Sequence, residues 1–307
     1  MTRPVLAFAF LCLVFGTTFG AIAIGLRDGW PPLLSAGVRF ALGGALVLGL
    51  AALRGELRRL SLSELGAIAL VGLTTTSLTF GVLYVAEGVL PSSLAAQIWA
   101  AAPLFSFGLA VALGRRRADG ASLAGVGLGT AGVVLVVGVG GTHAGHAGVL
   151  AALAVLGAAL TYVAGLTLSR DLAGRIPTFA LAGGQQLLGG LALLVASAVL
   201  EHRGPERLDA PGLLALAYLA VVASAGAHTV MVWLSGVAGP TFTSSWTYVA
   251  PFVALLAGAL MLHEPVGPSA WAGGVLVVLG AVALNAGVVR RLSRGTGPGA
   301  VSAPGAR

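Results

Sequence analysis

The chain predicts an all-α integral membrane protein of ten transmembrane helices arranged as two inverted five-helix repeats. Three observations predict this. Of its 307 residues, 57% are hydrophobic and 9% charged, with a mean hydropathy of +0.98, far outside the usage of a water-soluble domain. Largely apolar stretches of about 20 residues, the length that crosses a bilayer as a helix, recur along the chain. The fourth and fifth of these fall on the ninth and tenth, without a gap, when the sequence is moved over itself by 148 positions.

The spans are placed at 4–25, 32–53, 65–86, 92–113, 120–140, 147–168, 177–199, 212–235, 240–262 and 268–289. The first follows Arg3 and ends in Ala21-Ile22-Ala23; alone it would also fit a cleavable signal peptide, but nine further spans argue for a helix that stays. Asp28-Gly29 and Pro31-Pro32 separate it from the second, and Arg54-Gly55-Glu56 closes the second before the third. Gly88 and Pro91 divide the third from the fourth, and Arg115-Arg116-Arg117 the fourth from the fifth. A Gly-rich run with His143 and His146 leads to the sixth, Arg170 to Pro177 to the seventh, and Glu201 to Pro211 to the eighth. Gly239-Pro240 opens the ninth, and His263-Glu264-Pro265 precedes the tenth. Residues 1–143 then form the first repeat, 144–290 the second, and 291–307, rich in Gly, Pro and Ser, a disordered cytoplasmic tail. The 47 glycines suit close helix contacts where lipid and neighbour are equally apolar. Cys12 is the only cysteine, so no intramolecular disulfide forms.

All seventeen basic residues are arginines, and the net charge is +7. With a cytoplasmic N-terminus, thirteen lie on the inside and only Arg27, Arg203 and Arg207 on the outside. This bias places both termini in the cytoplasm of a cell-membrane protein and explains the charge as a topology signal, not a nucleic-acid surface.

In the repeat, Ala102-Pro103 falls on Ala250-Pro251, Ala124-Gly125 on Ala272-Gly273, Gly132 on Gly280 and Gly88-Val89 on Gly236-Val237. Five spans per half is an odd number, so the second half enters from the opposite face. The loops agree: Arg115-Arg116-Arg117 corresponds to His263-Glu264-Pro265, which carries no arginine. Inverted repeats are an architecture of secondary transporters, with the substrate between the halves near the midplane. Duplication kept for packing alone is the alternative.

Arg39 is the one charge well inside an apolar stretch. Near the bilayer centre an arginine costs about 2.5–3.5 kcal/mol on insertion scales, so it marks either a transport site or a guanidinium clamping backbone carbonyls where helices cross. Pro103 and Pro251 lie mid-span, kinking their helices as gate or shape elements and freeing carbonyls near Trp99 and Thr247. Thr241, Ser244, Ser245 and Tyr248 share one helical face, answered by Ser93 and Gln97 in the first half. Thr76 corresponds to Ser224, Phe80 to His228 and Glu87 to Ser235. Thr17, Thr18, Tyr162 and Gln185-Gln186 complete the polar interior, Gln186 standing roughly where Arg39 stands in the first half. The candidate substrate-binding residues are therefore Arg39, Thr17, Thr76, Gln97, Trp99, Tyr162, Gln186, Ser224, His228, Thr241, Ser245 and Tyr248. No carboxylate lies deep in a span, so transport is either facilitated or linked to protons through His228, which also fits a neutral packing role. His143 and His146 lack the company a metal site needs, and no nucleotide-binding or zinc-protease motif is present. No cofactor and no enzymatic activity are expected.

Phe15-Gly16-Thr17-Thr18-Phe19, Arg39-Phe40, the Pro103 and Pro251 helices, and Leu262-His263-Glu264 before a Gly-rich last span with Trp271 together resemble the EamA-type transporters of the drug/metabolite transporter superfamily. The resemblance covers nearly the whole chain. It implies ten helices in two inverted repeats and export or exchange of small metabolites such as amino acids and their relatives. Phe15 replaces the family's usual Trp, and Gly114-Arg115 its frequent Gly-Glu. The expected function is a secondary transporter exporting a small polar metabolite by alternating access. A polytopic membrane enzyme and a non-transporting scaffold or sensor are the alternatives. The expected partners are a small-molecule substrate and the bilayer, and a homodimer is compatible with the chain.

Overall fold

A computed structural model describes residues 2–115, 117–140, 145–172, 175–238, 246–264 and 267–284. Thr241, Ser244, Ser245, His143 and the predicted tail lie outside these residues.

The described residues are helical with short connections and contain no strand. In chain order the helices are α1 (Thr2–Arg27), α2 (Pro32–Leu53), α3 (Leu62–Gly72) continued by a π-helical segment (Leu73–Leu78) into α4 (Thr79–Glu87), α5 (Ser92–Trp99), α6 (Ala102–Ala112), α7 (Gly120–Gly140) and α8 (Gly145–Leu172). They continue with α9 (Thr178–Leu200), α10 (Ala210–Ala217) joined by a second π-helical segment (Tyr218–Ala227) to α11 (His228–Ala238), α12 (Trp246–Met261) and α13 (Pro268–Leu284). Seven helical stretches are long and apolar enough to cross a membrane, and three shorter apolar helices, Gly120–Val136, Trp246–Met261 and Pro268–Ala283, accompany them.

Local chemistry sets the helix starts. α2 begins with Pro31 at the cap and Pro32 at the first helical position, where a missing N–H costs nothing and φ is already helical. α3 starts with a reciprocal capping box between Ser61 and Glu64. Pro103 does more than bend its span: α5 stops at Trp99, Ala100 and Ala101 form a turn, and α6 restarts with Pro103 near its N-terminus. Pro251 instead lies inside the continuous α12.

Glycine shapes two close helix pairs. A methyl group at Gly44 of α2 would lie 2.4 Å from the Leu187 nitrogen of α9, and one at Gly190 of α9 would lie 2.4 Å from the Ala41 nitrogen of α2. Gly37 meets Leu194, and Gly183 meets Leu48. Moving the chain by 146 positions converts the first contact of each couple into the second. The α7–α13 pair repeats the pattern: Gly132 approaches Gly273 and Val277, and Gly280 approaches Gly125 and Gly129, which are the same positions after a 148-residue shift. Backbones at this distance leave no room for a side chain, so dispersion between backbones replaces interdigitation.

Polar ties concentrate at the end of the bundle where α1 finishes, here called the distal end. The Glu201 carboxylate accepts from the Leu33 and Leu34 amides, at 2.8 and 3.0 Å, at the start of α2. The Glu264 carboxylate accepts from the Ser92 amide and hydroxyl, each at 2.8 Å, and from the Ser93 amide at 3.0 Å, at the start of α5. A carboxylate there satisfies orphan N–H groups and faces the positive end of the helix dipole. The left-handed backbone of His263, φ 52°, turns the chain after α12 so that Glu264 reaches α5. Asp28 accepts from the Gly212 amide and the Glu206 amide donates to the Gly29 carbonyl, both at 3.1 Å. At the other, proximal end Arg58 pairs with Glu64 and donates to the Arg175 carbonyl at 2.8 Å, and Arg115 pairs with Asp171 at 3.0 Å.

Candidate functional site

A cavity of about 140 Å³ lies in the middle of the bundle, lined by parts of α1, α2, α4, α5, α8, α9, α11, α12 and both π-helical segments. Each π segment brings polar residues to it, Thr75 and Thr76 from the first and Ser224 from the second. A 148-residue shift lays the first segment inside the second. Such segments are rare and frequent at functional sites because the widened turn loosens the backbone ladder and redirects side chains.

Arg39, 4% exposed, is the cavity's charged side chain. Its Nε donates to the Ser224 hydroxyl at 3.1 Å and its Nη1 to the Tyr84 hydroxyl at 3.3 Å. The guanidinium carbon stands 4.6 Å from the Phe40 ring centre and 5.4 Å from that of Phe80, a stacking that favours a cation where water is scarce. Nη2 donates no hydrogen bond among the described residues, and no carboxylate there lies within ion-pair distance of Arg39. Beyond Phe80, Trp99 and Tyr162 continue an aromatic wall with successive ring centres 5.3–6.4 Å apart. On the same cavity, the Oε1 atoms of Gln185 and Gln186 are buried and accept no hydrogen bond. The cavity thus offers a donor-rich cation, a flat aromatic side and two open acceptors, a set suited to a small solute carrying both charge and polar groups.

The structure brings Arg39, Thr76, Trp99, Tyr162, Gln186, Ser224 and His228 together on this cavity. Pro103 and Pro251 line a separate small cavity with Trp99. Thr17 points elsewhere: its hydroxyl meets that of Tyr218 at 2.7 Å, on an apolar groove of about 540 Å³ between α1, α10 and α12. Its neighbour Thr18 lines the central cavity. Gln97 is buried, donates to the Ser93 carbonyl at 3.2 Å and lies beside Gly274 of α13. Tyr248 also turns toward α13, donating to the Ala281 carbonyl at 3.2 Å. Thr241 and Ser245 lie outside the described residues.

Tyr84, unmarked in the sequence, and Glu87, which spacing sets on the face of Thr76 and Phe80, both gain a place in the structure. Tyr84 is fully buried and holds Arg39; it lies four residues after Phe80, so the face defined by Thr76 and Phe80 could have revealed it. Glu87, one turn further at the end of α4, is 6% exposed, and both of its carboxylate oxygens lack hydrogen-bond partners. It lines a distal vestibule of about 480 Å³ together with Arg27, His263 and Glu264. Glu264 is of a different kind. Burial alone would raise its carboxyl above the usual range, but hydrogen bonds from Ser93 and Ser92 outweigh this and hold it below.

The family model for EamA-like transporters matches residues 2–138 and again 149–286. The chain is 29% identical over 281 residues to the uncharacterized inner membrane transporter YedA of Escherichia coli K12, covering 90% of this chain and 89% of that protein. It is 28% identical over 289 residues to the uncharacterized transporter YvbV of Bacillus subtilis 168, covering 92% of each. A crystal structure of a protein 21% identical to the chain superposes with a TM-score of 0.66, covering 95% of this chain and 99% of the other, which is a likeness of fold.

Proposed function

Because the chain belongs to the EamA-like transporter family and is a multi-pass membrane transporter, we propose that it moves a small polar metabolite bearing a carboxylate, an amino acid or a related compound, by alternating access. The observation that carries this reading is Arg39: a buried cation lining the central cavity which, among the described residues, has no carboxylate within ion-pair reach and no hydrogen bond from Nη2. A substrate carboxylate would supply the missing counter-charge through a charge-assisted hydrogen bond. Gln185 and Gln186 would meet its polar donors, and the aromatic wall would hold its body.

In this reading ten helices form two inverted five-helix repeats, residues 1–143 and 144–290, around the cavity. The two family matches, the corresponding π segments and the reciprocal glycine contacts support it. Reciprocity is what a local two-fold relation between halves produces: if position i of one half meets j of the other, the counterpart of j meets the counterpart of i. Both termini are cytoplasmic in a cell membrane, which the arginine distribution supports.

The test is uptake and counterflow by purified protein in proteoliposomes against a panel of amino acids, other small carboxylates, purines and amines. The reading expects flux of at least one carboxylate solute above that of empty vesicles and its loss in Arg39→Gln. Flux confined to solutes without a carboxylate overturns the role of Arg39, and no flux for any solute overturns the substrate class.

A further inference from the structure

We infer that Glu87 is a proton-binding site coupled to the occupancy of Arg39, making the carrier a proton-coupled one; the inference rests on the transport reading above. A carboxylate at the end of a membrane-crossing stretch, 6% exposed and with neither oxygen accepting a hydrogen bond, lacks the interactions that normally compensate a buried charge. Glu201 and Glu264, the other two buried or half-buried distal glutamates, are each occupied with a helix N-terminus. Glu87 caps nothing, and it lines the distal vestibule, which at about 480 Å³ has room for several waters.

Its neighbours connect it to the central cavity. Tyr84 and Glu87 are three residues apart on α4 and so share a face, and the Tyr84 hydroxyl accepts from Arg39 Nη1 at 3.3 Å. Glu87 therefore lies one helical turn beyond the residue that holds the cavity's cation, and it shares the distal vestibule with Glu264. From the elements packed against α4, the charged and titratable groups are Arg3 and Arg27 of α1, with Cys12; Arg39 of α2; and His146, Tyr162, Arg170 and Asp171 of α8. α5 brings none. Arg27, half-exposed, His263 and Glu264 share the vestibule with Glu87. Of these, Arg39 is the cation on the cavity side.

Charge balance supplies the coupling. With the cavity empty, ionised Glu87 and Arg39 together are neutral. A solute that carries a carboxylate and no cationic group of its own leaves one negative charge in the bundle when it binds Arg39, and a proton taken up by Glu87 from vestibule water restores neutrality. For such a solute Glu87, Arg39 and the cargo sum to zero in both the loaded and the empty carrier, so neither reorients with an excess charge at the cavity, which the bilayer would penalise. By linkage, the proton on Glu87 strengthens carboxylate binding by the same factor, so solute and proton travel together.

Infrared difference spectroscopy on protein in nanodiscs reads a carboxyl band as pH is stepped and needs no substrate. We expect a buried carboxyl band that is absent in Glu87→Gln, displaced in Glu87→Asp, and whose titration midpoint moves by about one pH unit in Arg39→Gln. If Glu87→Gln leaves every buried carboxyl band in place, the inference fails whatever the protein carries. In proteoliposomes containing the pH dye pyranine, solute flux by the natural chain should acidify or alkalinise the lumen, Glu87→Gln should abolish this together with concentrative uptake, and Glu87→Asp should restore part of it. Solute flux without proton movement overturns the coupling and leaves the transport reading standing. Absence of flux for every solute overturns the transport reading, and the infrared titration then decides Glu87 alone.

Discussion

Arg39 donates to Ser224 and Tyr84 from two other membrane-crossing stretches, so it could serve as a clamp as well as a site. The two roles diverge in a glutamine variant. A buried cation without a carboxylate partner carries a desolvation cost that its two hydrogen bonds and two ring contacts only partly offset, so Arg39→Gln should leave the thermal midpoint in detergent unchanged or raised. The same variant should lower solute flux by at least about tenfold, the equivalent of about 1.4 kcal/mol and within the range of one charge-assisted hydrogen bond. A fall in stability with flux retained would identify a clamp. Arg39 was legible because a lone charge in an apolar stretch stands out in any sequence, and Ser224 and His228 because spacing placed them opposite Thr76 and Phe80. Thr17 illustrates the limit. Adjacent helical residues differ by about 100° around the axis, so spacing that marks Thr17-Thr18 as polar does not say which of them reaches the cavity. Spacing set Glu87 on the face of Thr76 and Phe80 but could not show its burial or the distal vestibule it lines with His263 and Glu264, which come from the far half of the chain.

Glycine positions make element-scale predictions that differ sharply within one helix. A methyl group at Gly44 would meet the backbone nitrogen of Leu187 at 2.4 Å and the carbonyl of Gly183 at 2.6 Å, whereas one at Gly49, also in α2, would meet nothing within 4 Å. Backbone atoms cannot rotate away, so Gly44→Ala should destabilise by about 1–3 kcal/mol, and Gly49→Ala should be neutral or stabilising. Thermal unfolding in detergent of both variants checks this; equal effects would mean that α2 and α9 are not in backbone contact. The span boundaries of most helices followed from apolar length and the prolines that open them. The π segments did not, because the sequence around Thr76 and Ser224 has no proline or other local signal for a widened turn, and tertiary packing against α8, α9, α1 and α2 selects it. Pro103 and Pro251, equivalent in sequence, differ in outcome: the first divides two helices and the second sits within one.

For the whole molecule, the distal ties set a pH response. Glu264 joins the turn after α12 to the start of α5, and its carboxyl titrates below the ordinary glutamate value. A group lowered on folding stabilises the folded state fully above its unfolded value, near 4.5, and loses that contribution as pH falls through the lowered folded value. Glu264→Gln should therefore unfold at a lower temperature than the natural chain at neutral pH, by about 1–2 kcal/mol, and the two melting curves should converge as the medium is acidified toward that range. A constant gap down to strongly acidic pH would show that the carboxylate charge is not what holds the tie. Orientation is tested by reporter fusions at the C-terminus and at the loop near Arg203, which should report opposite sides of the membrane. One further property follows from α1. Its Cys12, the chain's single cysteine, is 5% exposed, so the natural protein is nearly silent toward thiol reagents. Pairs of spin labels can be attached at the two ends of the bundle without first removing a native thiol, and the opening and closing of the carrier can be followed as distances in an otherwise unaltered chain.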